Sequence, residues 1–176
     1  PVPFIKSKMD ERDQNHKKFG NSRYCVEPNI KFGKGGLRDI HALYWITKRI
    51  NQVKSIDDLL TLKLLTANER KALKRAYEFL LMTRWHLHKN SKRPTDTLSL
   101  ELQITLANAL GMTDKTPQMA AEKMMRQYFL HAKNIGQITR QLCAYIEGEY
   151  VENKITQAQK TFNKDSLPTP IIIKGR

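Results

Sequence analysis

Apolar residues recur at intervals of three and four through most of the chain from Leu37 to Ile146, the interval at which one face of an α-helix repeats. The first predicted helix begins at Leu37 and has Gly36 as its cap. The last one has Pro117 at its first position, where a missing amide hydrogen costs nothing. Its apolar stripe continues to Ile146, a length of about thirty residues or about 45 Å. The pattern predicts a bundle with one long helix.

Signals at helix ends predict further helices between these two. Ser55 and Thr66 each stand three residues ahead of a carboxylate, Asp58 and Glu69, which is the spacing of a capping box. The helix after Thr66 is predicted to end near His88, with an apolar stripe made of Leu73, Ala76, Tyr77, Leu80, Leu81 and Trp85. Two more helices are therefore expected in this stretch.

One more helix is predicted before the long one. It opens at Asp96 or Thr97, and Gly111 stands where a left-handed closing residue belongs. Three methionines in the long helix are assigned to core packing: Met119, Met124 and Met125. No segment of 20 to 50 residues repeats along the chain, which disfavours a solenoid. The predicted fold class is all-α: an antiparallel helical bundle with one long C-terminal helix and irregular N- and C-terminal arms.

Polar ends flank the predicted helical region. Residues 1–23, with the charge-rich stretch from Lys6 to Phe19, are interpreted as a solvated helix or arm that connects to a missing upstream domain. Residues 24–148 form the helical domain. Residues 149–176 lose periodicity, and Pro168–Ile173 is expected to be a linker that enters a β-strand of a missing downstream domain.

The net charge of the chain limits the classes of partner that it is expected to bind. The chain has 31 Lys and Arg against 17 Asp and Glu, a formal net charge of +14, and such an excess favours nucleotides, nucleic acid or an acidic protein. No apolar run reaches the ~20 residues that span a bilayer, and no secretion signal is recognisable. We therefore expect no membrane partner and a cytoplasmic location. Cys25 and Cys143 are far apart and are interpreted as free thiols.

A glycine cluster between Asn29 and Asp39 is the strongest local signal. Its residues feed directly into the start of the first predicted helix, where free amides and the helix dipole can bind an anion. The spacing fits neither the Walker nor the dinucleotide fingerprint. The glycines can equally serve only a tight turn and close packing. Arg38 favours the anion, because a cation in a first helical turn faces the unfavourable end of the dipole.

The residues for catalysis are missing. His86 and His88 lie two apart on a helix and point to opposite sides, whereas His41 and His131 are single histidines assigned to structure. The chain has no Asp-x-Asp, Gly-Ser or His-Asp sequence, so the usual supports of two-metal phosphoryl chemistry are missing. We predict no catalytic residue and no metal site in this chain.

The segment from Tyr24 to His41, with its Gly-Gly-Leu-Arg-Asp element, closely resembles the bacterial PII uridylyltransferase/uridylyl-removing enzymes. The resemblance extends upstream to Glu11 and downstream through Trp85-His86-Leu87-His88 and Met124-Met125-Arg126-Gln127-Tyr128-Phe129. It implies a parent enzyme that attaches UMP to the PII signal protein and removes it, as part of nitrogen signalling. The glutamine-synthetase adenylyltransferases have a similar glycine-glycine-hydrophobic-arginine-acid element.

The family's two catalytic centres lie on either side of this region. The resemblance implies a nucleotidyltransferase domain before it, which uses Mg²⁺ and UTP, and a metal-binding His-Asp hydrolase domain after it. Nucleotide-cleft candidates are then Asn29, Lys31, Gly35, Gly36, Arg38 and Asp39, with Lys31 and Arg38 toward phosphate and Asp39 as an auxiliary carboxylate. Phe32 is a departure, because the family usually has glutamate there, and a role for that carboxylate cannot apply here.

The expected function is a helical domain that borders the nucleotidyltransferase cleft and links it to the hydrolase domain. It would bind no cofactor of its own, and its partners would be the flanking domains and, through the parent, PII and UTP. The alternative is a stand-alone basic helical module that binds nucleic acid. That alternative rests on charge alone, and the basic loop from Lys89 to Arg93 has no aromatic residue for base stacking.

Overall fold

Five α-helices form most of the described part of the chain in a computed structural model, which describes residues 2–52, 54–55, 58, 63–91 and 93–152. In chain order they are α1 Val2–Lys18, α2 Leu37–Asn51, α3 Ala67–Asn90, α4 Leu100–Ala109 and α5 Pro117–Ile146. A short π-helical segment, Glu147–Glu152, follows α5. The predicted all-α fold and its long helix are confirmed. Over the described residues, no helix is both long and apolar enough to cross a membrane.

Local signals account for several of the helix ends. Thr66 and Glu69 form the predicted capping box at the start of α3, and the Thr116 hydroxyl accepts the Met119 amide beside Pro117. Gly111 has φ +71° just after α4. At the other predicted capping box, the Asp58 carboxylate accepts the Lys54 and Ser55 amides. Most of the helix predicted there lies outside the described residues, as does the predicted Pro168–Ile173 strand.

The start of α4 was predicted wrongly. It begins at Leu100 with Ser99 as its cap, and not at Asp96 or Thr97. The residues before it are extended, because Leu98 donates its amide to the Pro28 carbonyl and Ile30 donates to the Asp96 carbonyl. Asn29 and Thr97 form an isolated antiparallel bridge there. We call residues 29–36 the glycine loop. Pairing with the start of this loop and with Pro28 before it therefore keeps the residues ahead of Leu100 out of the helix.

The core is built around α5, which packs against α2, α3 and α4. Tyr128 is its largest buried side chain, with 1% of its surface exposed. Burial of one such aromatic or aliphatic side chain contributes roughly 1.5–3 kcal/mol relative to exposure. Side chains from all four of these helices are fully buried in the core, among them Leu43, Leu80, Leu87, Leu106 and Ile135.

Some apolar residues assigned to the core are exposed. Trp85 is 57% exposed, Leu81 38% and Met119 41%. The buried stripe of α3 is instead narrower than predicted and consists of Leu73, Ala76, Leu80, Thr83 and Leu87. Hydrophobicity alone assigned Trp85 and Leu81 to the stripe, whereas the position of α5 decides which face of α3 is covered.

Helix α1 is less solvated than its composition suggested. The stretch expected to be a solvated helix or arm is helical up to Lys18, and Met9 and His16 are buried within it. Ile5 is fully buried, and the helix packs against α2. The expectation of a solvated segment is therefore wrong for one face of α1. The proposed division between residues 23 and 24 stays a prediction.

The glycine loop lies directly on the backbone of α5. Gly35 has φ +81°, and a Cβ built on it would stand 2.3 Å from the carbonyl oxygen of Ala132. A side chain there would therefore meet both backbone strain and a rigid neighbour. The glycine permits the loop to approach α5, as the packing alternative for these glycines required.

We predict that Gly35→Ala destabilises the protein much more than Gly111→Ala. Gly111 also has a left-handed backbone, φ +71°, but nothing lies within 4 Å of a Cβ there. Left-handed strain costs about 1–2 kcal/mol, so Gly111→Ala should lower the free energy of unfolding by about that amount. Gly35→Ala adds a backbone clash and should lower it by about 3 kcal/mol or more. Urea unfolding of both variants measures the difference, and equal losses would contradict the contact with α5.

We also predict that His131 makes the protein less stable in mild acid. The ring packs 4.7 Å from the ring of Phe79, and its buried Nδ1 has no hydrogen-bond partner among the described residues. Burial lowers the pKa of His131 below its usual value. The unfolded chain therefore takes up a proton more readily than the folded one, and stability is lost as pH falls below about 6.5.

Thermal melts between about pH 7.5 and 5.5 test this prediction. Carboxylates titrate mostly below this window. His131→Phe keeps an aromatic ring beside Phe79 but cannot be protonated, so the fall in melting temperature toward pH 5.5 should become smaller in this variant. An unchanged fall would show that His131 does not contribute.

Candidate functional site

The glycine loop is held together by its own hydrogen bonds. The side-chain oxygen of Asn29 accepts the Lys31 and Phe32 amides at 3.2 and 2.8 Å, and the Asn29 carbonyl accepts the Gly33 amide. Asn29 is thus a turn former, a role for which asparagine is well suited. Its side-chain nitrogen is 3.5 Å from the Thr97 hydroxyl, which ties the loop to the segment before α4.

The first amides of α2 are already bonded within the loop. Leu37 donates to Ile30, Arg38 to Lys31 and Asp39 to Gly36. The Gly36 amide donates to the Gly33 carbonyl, and the Gly35 amide donates to the Asp39 carboxylate. The expectation that free amides bind an anion here is therefore wrong for these five groups. The Gly36 cap at the start of α2 is confirmed, but its amide is used inside the protein.

Asp39 is the buried centre of this region, with 3% of its surface exposed. One carboxylate oxygen is 2.7 Å from His16 Nε2, and the other accepts the Gly35 amide at 2.8 Å. Asp39 thereby connects α1, the glycine loop and α2. A buried carboxylate needs such partners, because burial without them is costly. Both oxygens of Asp39 are thus used within the protein.

Lys31 and Arg38 lie together on the surface beside an aromatic ring. The Lys31 Nζ is 4.6 Å from the centre of the Phe32 ring, and the Arg38 guanidinium is 6.0 Å from it. The guanidinium also lies 4.7 Å from the centre of the Trp45 ring. We call Lys31, Phe32, Arg38 and Trp45 the cation–aromatic face. Lys31 and Arg38, which the family resemblance predicts to face phosphate, thus lie near the same ring.

Two carboxylates hold these cations in place. Glu11 of α1 lies 2.9 Å from Arg38 Nη2, and Asp96 lies 3.8 Å from Lys31 Nζ. Hydrogen bonds from Lys8 and then Arg38 lower the pKa of Glu11. The Nε of Arg38 is buried and has no hydrogen-bond partner within the described part of the chain. Neither carboxylate partner was assigned from the sequence.

Asp96 also binds two residues of α3. Its Oδ1 is 2.7 Å from Arg84 Nε and 3.0 Å from His88 Nε2. Burial alone would raise the pKa of Asp96, but the hydrogen bonds from Arg84 and His88 outweigh it, and the pKa is lowered. Asp96 therefore joins Lys31 of the loop to α3. The only sequence signal for it was a carboxylate next to a basic loop, which was interpreted as a helix start.

His41 lies next to this face and contacts the Tyr77 hydroxyl at 3.5 Å. Burial lowers the pKa of His41, and the positive charges of Arg38, Arg84 and Lys31 lower it further. The imidazole is therefore biased toward its neutral form. His41 was assigned to structure from the sequence, and its contact with Tyr77 agrees with that assignment.

Phe32 replaces the glutamate that the resemblance predicts in this loop. Its ring stacks on Phe19, with ring centres 5.6 Å apart and planes only 9° from parallel. Such a pair contributes about 0.5–1.5 kcal/mol beyond its buried area. Lys31 and Arg38 consequently meet an aromatic ring here in place of a carboxylate.

The candidate residues divide into two groups. Lys31 and Arg38 present charge at the surface, whereas Gly35, Gly36 and Asp39 lie buried behind them. Of the residues described, no three His, Cys, Asp or Glu side chains are close enough to hold a metal ion. Cys25 and Cys143 are free thiols, as their separation in the sequence predicted.

Comparison with known proteins identifies the family. A family model described as GlnD PII-uridylyltransferase matches residues 3–143. Curated relatives named bifunctional uridylyltransferase/uridylyl-removing enzyme are 38% identical over 98% of the chain in Novosphingobium aromaticivorans and 41% identical over 83% in Azospirillum brasilense. A relative with the same name in Caulobacter vibrioides is 41% identical over 86% of the chain.

The matched region is a small part of each relative. The chain spans 19% of the length of the Novosphingobium protein and 16% of the Azospirillum and Caulobacter proteins. No solved structure matches it. The sequence resemblance to the PII uridylyltransferases is confirmed over most of the helical region. The chain belongs to the GlnD PII-uridylyltransferase family.

Proposed function

We propose that this chain is the helical domain that borders the nucleotidyltransferase cleft of a PII uridylyltransferase/uridylyl-removing enzyme. In this proposal the parent enzyme attaches UMP to PII and removes it. The chain supplies neither reaction alone and positions groups beside the transferred nucleotide. The alternative, a stand-alone module for nucleic acid, rests on net charge alone, and family membership favours the enzyme domain.

The observation that carries the proposal is the cation–aromatic face. Lys31 and Arg38 flank the Phe32 ring, and Trp45 lies under the Arg38 guanidinium. Cations bind phosphate oxygens, and arginine can do so through two parallel hydrogen bonds. Aromatic rings beside them offer apolar surface for a base or ribose. The combination suits one face of a nucleotide site that a second domain would complete.

The ion pairs of this face can exchange for a ligand. The side chains of Arg38 and Glu11 are 29% and 35% exposed, and exposed ion pairs contribute only about 0–1 kcal/mol. A phosphate with two charges that approaches Arg38 would therefore compete with Glu11 at little cost. The carboxylates keep the cations oriented until a ligand binds.

The other candidate residues have supporting roles in this proposal. Asn29 shapes the turn, Gly35 and Gly36 permit close packing, and Asp39 fixes the loop against α1. The described residues include no group of carboxylates that fits Mg²⁺. In this proposal, the Mg²⁺ that supports UMP transfer, and UTP binding apart from this face, belong to parts of the parent outside this chain.

Helix α5 is our candidate for the connection toward the hydrolase domain. It has 30 residues, which at 1.5 Å per residue is about 45 Å, and its π-helical continuation reaches Glu152. Because buried side chains occur along it from Ala120 to Ile146, the surrounding core can hold its two ends at a constant separation. In this proposal it keeps the transferase and hydrolase domains apart at a set distance.

We predict that Arg38→Ala in the intact parent enzyme reduces UMP transfer to PII by at least about tenfold, equivalent to about 1.4 kcal/mol. The lost guanidinium would no longer neutralise phosphate charge. The matched control is Glu11→Gln, which removes the ion-pair partner of Arg38 but keeps the cation. It should transfer UMP within about threefold of the wild type.

The two variants separate a nucleotide role from a structural one. If Arg38 only ties α2 to α1, both variants should lower the melting temperature and affect transfer to a similar degree. Steady-state transfer of labelled UMP, measured at two UTP concentrations, provides the comparison. Equal activities for the two variants would contradict the proposal.

We also predict that the isolated 176-residue chain transfers no UMP when it is incubated with UTP, Mg²⁺ and PII. Phosphoryl-transfer catalysis depends on positioned metal ions and charges, and the sequence has no Asp-x-Asp or Gly-Ser element. With labelled UTP as the donor, separation of PII on a gel would detect labelled UMP on PII after a single turnover. The intact parent is the positive control, and transfer by the chain alone would refute the assignment of roles.

A further inference from the structure

A basic cavity of about 350 Å³ opens behind the glycine loop. It lies between α1, the loop and α5. No residue of the cation–aromatic face lines it. Its volume is at the lower end of the range of small-molecule pockets, about 300–1,000 Å³. The residues that define its chemistry are Arg12, Lys17, Arg23, Lys34, Asp39 and Arg140.

Cations around this cavity outnumber the available carboxylates. Asp13 is 2.9 Å from Arg12, and both oxygens of Asp39 are used by His16 and the Gly35 amide. Five cations of the lining, Arg12, Lys17, Arg23, Lys34 and Arg140, thus face only these two carboxylates. The cavity therefore has an excess of positive charge.

Four cations of the wall, Lys17, Arg23, Lys34 and Arg140, form no ion pair with a carboxylate among the described residues. Lys34 Nζ contacts the Asn21 side-chain oxygen at 3.3 Å, and Arg23 contacts the Lys133 carbonyl at 3.4 Å. Lys17 and Arg140 are exposed. Like charges that share a small concave surface repel one another, and a bound anion removes this cost.

The backbone of α5 is shaped to admit one of these cations. Gly136 lies on the cavity wall, and a Cβ built on it would come within 2.9 Å of the Arg23 guanidinium. Thr139, one helical turn farther on, turns its hydroxyl back to the Ile135 carbonyl. Small residues on this part of α5 leave room for the guanidinium to lie across the helix and face the cavity.

We propose that this cavity binds a small molecule with two or more linked phosphate groups. Four cations that line one cavity match at least two negative charges, and guanidinium groups pair with phosphate oxygens in two-point contacts. A free polyphosphate and the polyphosphate of a nucleotide share this chemistry. The inference does not depend on the proposed role of Lys31 and Arg38, because a different set of cations forms the cavity.

Isothermal titration of the 176-residue chain tests the proposal, with inorganic tripolyphosphate and UTP as separate probes. We expect saturable binding of tripolyphosphate that weakens when salt is raised from about 50 to 200 mM. Equal affinities for the two probes would identify the phosphates as the whole ligand. Tighter binding of UTP would identify a nucleotide. Citrate is the third probe, and binding as tight as that of tripolyphosphate would overturn the assignment to phosphate.

Matched arginine variants locate the binding. Arg140→Gln removes an exposed cation of the cavity wall, whereas Arg126→Gln removes another exposed cation on the same helix, fourteen residues or about 21 Å away. Arg140→Gln should weaken tripolyphosphate binding at least tenfold, and Lys34→Gln should do the same. Arg126→Gln should change it less than twofold.

The outcomes of this experiment are separable from those of the transfer assay. Similar losses from Arg126→Gln and Arg140→Gln would show diffuse attraction to a basic protein and overturn the site, as would the absence of saturation. Arg38→Ala should leave tripolyphosphate binding to this cavity unchanged. A loss of binding in that variant would place the anion on the cation–aromatic face and not here. Circular dichroism confirms that each variant keeps its helical content.

Discussion

The buried Asp39 carboxylate is the contact on which the geometry of this region depends. It accepts the Gly35 amide and lies 2.7 Å from His16, so one side chain joins α1, the glycine loop and α2. Loss of one partner of a buried charge leaves the other uncompensated, which is far costlier than loss of an exposed pair. Both the cation–aromatic face and the basic cavity use this junction: Arg38 is its neighbour in sequence, and Asp39 lines the cavity.

Helix α5 is the second constraint, because it provides a surface of small residues for the loop. Gly35 meets the backbone of Ala132, and Arg23 meets Gly136 one turn farther along. Close approach at these two positions sets how deeply the loop and the Arg23 side chain sit on the helix. The glycines therefore serve packing, and the amides that were expected to bind an anion are occupied within the loop. Cationic side chains lie on both sides of the loop, in the cation–aromatic face and in the cavity wall.

Phe32 shows how one substitution changes the balance of this surface. Its ring stacks on Phe19 and lies near two cations. A glutamate at this position could pair with Lys31 and Arg38 directly, whereas the ring leaves their charge available to other anions. Glu11 and Asp96 then act as the partners that orient Arg38 and Lys31. The face thus has two cations beside an aromatic ring, each with a carboxylate partner.

The sequence alone determined the features that depend on neighbours along the chain. The capping box at Thr66, Pro117 at the start of α5 and Gly111 after α4 were predictable, because each signal and its effect lie within four residues. The tertiary structure decided the rest. Asp39 meets His16 across 23 residues and Arg38 meets Glu11 across 27, and no local pattern encodes such pairs. Trp85 is exposed and Asp96 is an ion-pair partner for the same reason. The packing of other segments decides which side chains are covered and which charges meet, and residue type does not.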